Sequence, residues 1–419
     1  MHDIVQIDLK PLSSRVIVVV IAAGIVFGAC IAIRWQLSEM LANITRPSDP
    51  QAAEIASVVF DWTPNSPRAV WLKAAMVVDA EESLRLYEQS VRASPYEPRW
   101  RIDLARAYEQ NSRTDLVEEQ LKRAIELAPA HAVARWHLGN YYLRQNRISE
   151  AEESLRAAAS KDPEYRDQVY SLGWDYFNGG AAEMERLAGD EPEPIAYLAY
   201  FFASRGRPEE ALRNWNRLDV ESKNRYSFLV PSMAQGLFEQ RHFAQALAFL
   251  RQSGEGIDTK GGAVTNGSFE SPLGGAFGWN IARNDSRFEA AQDSRVKREG
   301  QRSLRLVFKS YSKPAFANVF QTVVIEPNTS YRLRFWLRTE DLRSAGGPLL
   351  ELINANDGTP IARTRPFPLG TNDWQEVTVD FRTSNGCAGV GLQTIRTYCG
   401  EDCPLVGTMW YDDFELTKQ

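Results

Sequence analysis

Histidine and cysteine are scarce, with four of each in 419 residues. That excludes a His-rich or Cys-rich metal centre and a disulfide-built scaffold. His131 and His137 lie six residues apart, on different faces of a helix, and do not form a zinc pair. A positive excess is also missing: 48 Lys and Arg stand against 54 Asp and Glu, a net charge of −6. This disfavours a general nucleic-acid binder. There is no GxxxxGK phosphate loop, no GxSxG elbow, no HExxH and no readable His-bearing triad. Carboxylates are scattered, and nothing selects a glycosidase-like pair among them. The reading is therefore non-enzymatic. The composition is 44% hydrophobic and 24% charged, which is globular rather than disordered or multi-span. The length suits about three domains.

One long apolar run is present. Val16 to Ile33 is uninterrupted for 18 residues and is bracketed by Arg15 and Arg34. At about 1.5 Å per residue it covers ~27 Å of a ~30 Å hydrocarbon core. The arginines can snorkel to the headgroups, and Trp35 stands where an interfacial aromatic belongs. The expectation is an uncleaved anchor over residues 16–34, a cytoplasmic N-terminus over 1–15 and a linker over 35–66. Two alternatives stay open: a cleaved signal sequence, and a lipoprotein in which Phe27-Gly28-Ala29-Cys30 resembles a bacterial lipobox with Cys30 lipidated. Lys10 and Arg15 before the span tie with Arg34 and Arg46 after it, so charge does not set orientation. The short N-terminus and large remainder point to a single-pass protein of a bacterial inner membrane with its bulk in the periplasm. Gly24, Gly28 and Ala32 recur every fourth residue and would let a second copy approach as a homodimer.

A 34-residue period follows. Pro95, Pro129 and Pro163 keep it, as do Leu104, Leu138 and Leu172, then Tyr108, Tyr142 and Tyr176. Trp136-His137-Leu138-Gly139-Asn140-Tyr141-Tyr142, followed by Ala151, Ala158 and Pro163, resembles the tetratricopeptide repeat family. Small residues (Gly139, Ala151, Ala158) sit where two helices touch, and large ones (Leu138, Tyr142, Leu155) fill the gaps. About five helix pairs are expected over residues 67–253, an all-α solenoid. The resemblance implies a groove lined by the first helix of each pair, presenting Arg106, Trp136, Asn140, Arg144, Tyr170, Trp174 and Tyr200 to a protein partner.

After a Gly-rich linker at 254–262 the periodicity changes from 3.6 to 2. Strands are expected at Ser303–Phe308, Val319–Ile325, Tyr331–Arg338, Leu349–Ile353, Gln375–Phe381, Gly389–Arg396 and Met409–Leu416. Many short alternating strands indicate an all-β sandwich over 263–419. Asn266-Gly267-Ser268-Phe269-Glu270 with Gly278-Trp279, and the closing Trp410-Tyr411-Asp412-Asp413-Phe414, resemble the galactose-binding-like jelly roll of carbohydrate-binding modules in families 4, 9 and 22. That resemblance implies a structural calcium at Glu270 and Asp413. It places Trp279, Trp336, Trp374 and Phe381 in the core. Glycan contacts are expected at Tyr311, Phe316, Asn318, Arg365, Gln393 and Arg396. Cys387, Cys399 and Cys403 cluster here, with a Cys399–Cys403 bridge expected and 387–399 as the alternative.

The resulting expectation is a membrane-anchored scaffold in envelope or exopolysaccharide biosynthesis and export. The solenoid would bind a protein and the sandwich a glycan. The alternatives are a pure protein-assembly factor and a cryptic glycan-processing enzyme.

Overall fold

The computed structural model describes residues 12–252, 262–281, 286–311, 319–396, 398–400 and 403–419. The expected linker at 254–262 lies outside these, apart from Gly262. By compactness the chain divides into Met1–Gly189 and Asp190–Gln419.

The first unit is helical: α1 (Leu12–Ile44), α2 (Ala52–Trp62), α3 (Pro67–Met76), α4 (Ala80–Ala93), α5 (Pro98–Gln110), α6 (Thr114–Leu127), α7 (Ala132–Arg144), α8 (Ile148–Lys161), α9 (Pro163–Tyr176) and α10 (Ala181–Ala188). Helix α1 is long and apolar enough to cross a membrane or to serve as a signal sequence. It does not stop where the apolar run stops. Ala42 packs with Ala56 and Val59 of α2 and Ala69 and Leu72 of α3. Ser38 Oγ is buried and donates to the Val59 carbonyl at 3.2 Å. Residues 35–66 are thus mostly packed helix rather than the expected linker, because their small apolar residues share a core with α3.

From α3 onward the helices form antiparallel pairs. Proline opens α3, α5 and α9, where a missing N–H costs nothing. Asp79 and Asp162 cap α4 and α9 by accepting from the Glu82 and Glu164 N–H groups at 2.8 and 2.9 Å. Gly139 lets α7 press onto α8: a Cβ there would lie 2.5 Å from Leu155 Cγ. Ala124, Ala151 and Ala158 are fully buried. A polar latch joins successive pairs and recurs with the repeat. Tyr108 O–H donates to Glu88 at 2.9 Å, and Tyr142 O–H donates to Glu118 at 2.8 Å. Arg113 and Arg147 complete the two latches, pairing with the same carboxylates and lying over the same tyrosine rings.

The second unit starts with α11 (Pro192–Ser204), α12 (Pro208–Asn216), α13 (Val220–Arg225), α14 (Val230–Glu239) and α15 (Phe243–Gln252). The pairs α11–α12 and α14–α15 continue the helix-pair pattern. They nevertheless group with the β region, so the compact boundary is at Gly189/Asp190 and not at the linker expected after residue 253. The contacts explain why. Phe238 meets Phe277 edge-on at 5.0 Å, Phe243 lies against Gly389, and the Arg241 guanidinium donates to the Asn356 carbonyl.

The strands are β1 (Asn280–Ile281), β2 (Phe288–Asp293), β3 (Ser303–Tyr311), β4 (Val319–Val324), β5 (Ser330–Arg343), β6 (Pro348–Asn354), β7 (Pro360–Arg363), β8 (Gly370–Arg382), β9 (Gly389–Arg396) and β10 (Leu405–Lys418). They form two antiparallel five-stranded sheets, ordered β1-β4-β9-β6-β7 and β2-β3-β10-β5-β8. Alternate residues of both sheets, among them Leu304, Leu306, Leu333, Phe335, Leu350, Leu352, Val390, Leu392 and Tyr411, fill the core between them. The opening motif is zipped to the closing strand. Phe414 N–H donates to the Gly267 carbonyl at 2.9 Å, at a spot where a Cβ on residue 267 would strike Phe414. Trp279 and Phe381 are in the core as expected. Trp336 is not: it shares strand parity with outward residues and carries the Arg298 guanidinium 3.8 Å above its ring. Trp374 is half-buried.

Candidate functional site

Two surfaces gather the residue types that recognition needs. The first lies on the leading helices of the pairs in the first unit. Arg106 is exposed on α5 and pairs with Asp103 at 3.7 Å. Trp136 on α7 is half-buried and meets Tyr165 at 6.1 Å. Asn140 donates to the Trp136 carbonyl at 2.8 Å. Arg144 forms a fork on Glu109, at 2.7 and 2.8 Å. Trp174 on α9 is half-buried against Gly179. Tyr170 departs from expectation. It is fully buried on the inward face of α9, beside Val169 and Gly173, and is a core residue rather than a groove residue. In the second unit Tyr200 is 38% exposed on α11.

Sequence reasoning missed Trp71, Asp103 and His137. Trp71 Nε1 donates to Asp103 at 2.8 Å, and both line a cavity of about 360 Å³ with Tyr87, Arg106 and Gln110. Burial raises the Asp103 carboxyl above its ordinary range and outweighs the Trp71 hydrogen bond and Arg106. Burial lowers the His137 imidazole to about 4, with Arg106 and Arg144 adding to the effect. The signal was available: the 34-residue step from Asp103 lands on His137, and that from Arg106 lands on Asn140.

The second surface is the outer face of the sheet β1-β4-β9-β6-β7. Val390 and Leu392 point into the core, so Gly389, Gly391 and Gln393 point outward. Register then builds one row across all five strands: Asn280 opposite Phe320, Phe320 opposite Gln393, Gln393 opposite Glu351, and Glu351 opposite Arg363. Gln393 Nε2 donates to Glu351 at 2.7 Å, and Arg363 Nε donates to its other oxygen at 2.6 Å. Glu351 is buried while Arg363 stays exposed. Gly391 sits in the adjacent row, where a Cβ would lie 2.9 Å from the Phe320 ring and 2.8 Å from Ile353. Glycine thus leaves the half-buried Phe320 ring lying over the sheet. Arg365 is exposed just after β7. Phe243 of α15 covers the far end of this face at Gly389.

Two expected glycan contacts are corrected. Tyr311 is buried, 6.1 Å from Phe288 and 6.5 Å from Phe308, in the core between the sheets. Arg396 is 4% exposed because it shares the inward parity of Val390 and Leu392. Its guanidinium donates to the carbonyls of Tyr311 and Cys403, and among the described residues its Nε has no partner. Arg396 therefore pins the end of β3 and the loop before β10 from inside. Phe316 and Asn318 lie outside the described residues. Cys399 is bonded to Cys403, with Cα atoms 5.8 Å apart, while Cys387 is buried and free and donates to the Gly389 carbonyl.

Glu270 and Asp413, the expected calcium ligands, are both engaged by protein groups. Glu270 accepts from the Gln301 and Arg302 N–H groups at 2.6 and 3.1 Å. Asp413 pairs with Arg298 at 2.8 Å. Among the described residues no three His, Cys, Asp or Glu side chains gather as a metal cluster. The Arg298 guanidinium is thus held on Asp413.

Residues 110–172 match the tetratricopeptide repeat family. A curated relative, the tRNA(Glu)-specific nuclease WapA of Bacillus subtilis subsp. natto, is 25% identical over an alignment of 184 residues that covers 40% of this chain. The chain spans 7% of that relative's length. Among solved structures, one described as "CBM4 structure and function" is 15% identical, covering 37% of this chain and 99% of its own, with a TM-score of 0.28. The MamA RS-1 ArsTM double mutant is 13% identical, covering 45% and 91%, also with a TM-score of 0.28.

Proposed function

We propose that this chain is a non-catalytic scaffold anchored in a bacterial inner membrane by α1, with its bulk in the periplasm. In this reading the helical repeats hold a protein segment along Arg106, Trp136, Asn140, Arg144 and Trp174. The sandwich holds a glycan on the row from Asn280 to Arg363, and the setting is envelope or exopolysaccharide assembly. The observation that carries the reading is the row itself. An apolar ring, two amides and a carboxylate–guanidinium pair lie side by side on the outer face of one sheet. Sugars present apolar C–H faces that stack on such a ring and hydroxyls that such amides and charges read. The half-buried tryptophans and exposed arginines of the repeats suit an extended peptide that offers both side chains and backbone groups.

A polysaccharide-binding assay on the detergent-solubilised full chain tests the glycan half. Binding should fall at least tenfold in Phe320→Ala and in Gln393→Ala, and should be unmoved by Tyr311→Phe, which lies in the core. Binding that ignores both face variants, or no binding to any envelope polysaccharide, overturns it. The second reading, a protein-assembly factor without sugar affinity, draws support from two observations: Glu351 is already satisfied by Gln393 and Arg363, and Phe243 of α15 covers the face at Gly389.

A further inference from the structure

A cavity of about 540 Å³ lies in the first unit, between α1 and the turn that joins α2 to α3. Ile31, Arg34, Trp35 and Glu39 form one wall, and Trp62 and Asn65 belong to the other. Its volume suits a small ligand. Two contacts fix the walls. Ser38 Oγ donates to the Val59 carbonyl and holds α1 on α2, and the Ser66 hydroxyl donates to the Glu39 carboxylate. The Arg34 guanidinium lies over the Trp62 ring, 5.9 Å from its centroid. Among the described residues neither Arg34 nor Glu39 forms an ion pair. At roughly 100° per residue the two stand about 140° apart around α1, with Ile31 and Trp35 between them. They therefore face opposite sides of the cavity rather than each other.

The cavity lies where the apolar run ends. Ile31 belongs to the run, Arg34 is the first charge after it, and Gln36, Glu39 and Asn43 follow. Charged and amide groups at that density suit the headgroup layer and not hydrocarbon. Along α1 the wall thus changes from apolar at Ile31 to cationic at Arg34 and then to anionic at Glu39, about 7.5 Å further out than Arg34. An aminophospholipid carries the complementary groups in the same order: acyl chain, phosphate, primary ammonium. A guanidinium receives a phosphate as a fork, and the Glu39 oxygen that Ser66 leaves open accepts from an ammonium. Trp35 and Trp62 add aromatic faces for the cation. A glycerol headgroup brings no cation to Glu39, and a quaternary ammonium has no N–H to donate to it. We propose that this cavity binds the phosphoethanolamine headgroup of an aminophospholipid, with its phosphate on Arg34 and its ammonium on Glu39. The inference rests on the anchored reading of α1.

The experiment is native mass spectrometry of the detergent-solubilised full chain. The chain is titrated separately with phosphatidylethanolamine, phosphatidylcholine and phosphatidylglycerol of one acyl composition, with alkaline carbonate extraction of native membranes in parallel. One phosphatidylethanolamine per chain should be retained, at about tenfold lower concentration than either other lipid. Glu39→Gln keeps an acceptor for Ser66 and should erase that preference. Arg34→Gln should weaken retention of all three lipids about tenfold. Arg46→Gln, exposed and outside the cavity, should change nothing. Soluble phosphoethanolamine at the same concentration should leave the bound lipid in place; displacement would mean that the cavity takes the free headgroup, and overturns the lipid. Equal retention of the three lipids, a preference for phosphatidylglycerol, or a preference that survives Glu39→Gln overturns the site. Release by carbonate overturns the anchored reading instead, and is read independently of lipid retention.

Discussion

Glu118→Gln probes the latch between repeats. The carboxylate on α6 accepts from Lys122 Nζ at 2.7 Å, Tyr142 O–H at 2.8 Å and Arg147 Nη1 at 2.6 Å. The last two belong to α7 and the turn that follows it, so the group ties one helix pair to the next. These hydrogen bonds hold its pKa at about 2, with Lys122 the largest contributor, although partial burial pulls the other way. Relative to an unfolded value near 4.5, that difference carries at most about 3 kcal/mol. Lys122 and Arg147 are 58% and 40% exposed. Solvent screens such partners, so about 2 kcal/mol is expected. The folded pKa is depressed, so the stabilisation is fully present above pH ~4.5 and is lost as pH falls toward ~2. Glutamine keeps the shape and removes the charge. Thermal unfolding of the protein followed by helical circular dichroism should show Glu118→Gln lowering the midpoint by roughly 4–8 °C at pH 7. The gap to wild type should close as the pH approaches 2. A gap below ~1 °C, or one of constant size across that range, would refute the latch.

Other outcomes follow from equally local features. Gly139→Ala would drive a methyl into Leu155 and its backbone N–H, and should cost about 1–3 kcal/mol in chemical denaturation. Cys403→Ser opens the Cys399–Cys403 loop and should lower sandwich stability by ~2 kcal/mol, matched by adding reductant to wild type. His137 is held neutral in the fold, with its pKa lowered to about 4. Below ~6.5 the unfolded chain takes up a proton that the fold refuses, so stability declines as pH falls from there toward 4. NMR titration should find the imidazole well below 6, and Arg144→Gln should raise it by removing a neighbouring positive charge.

The helical repeats were legible because their determinants are local. Gly139 meets Leu155, and Tyr142 meets Glu118, within the span of one or two helices. The same period would have disclosed Asp103 and His137, had position been weighed above residue type. The strands with long alternation were legible too, whereas the edge strands β1 and β7, two and four residues long, carry no readable period. Tyr311, Arg396 and Tyr170 drew functional assignments from their side-chain chemistry, and all three point inward. A tyrosine or an arginine looks the same in sequence whichever side of its element it occupies.

The amino-acid sequence by itself determined the order of elements: one apolar helix, a run of helix pairs with a 34-residue step, and a set of alternating strands. Periodicity is written into neighbouring residues and needs no distant partner. Only the tertiary structure decided which surface faces out and what lies beside what. Asn280, Phe320, Glu351, Arg363 and Gln393 become one row through pairing register between strands far apart in the chain. The last helix pair joins the sandwich through Phe238, Phe243 and Arg241. Helix α1 runs past its apolar segment because Ala42 finds Ala56, Val59 and Leu72. Each of these depends on contacts that close long loops, and the strength of such a contact is set by the shape and register of both partners, which no single stretch of sequence contains.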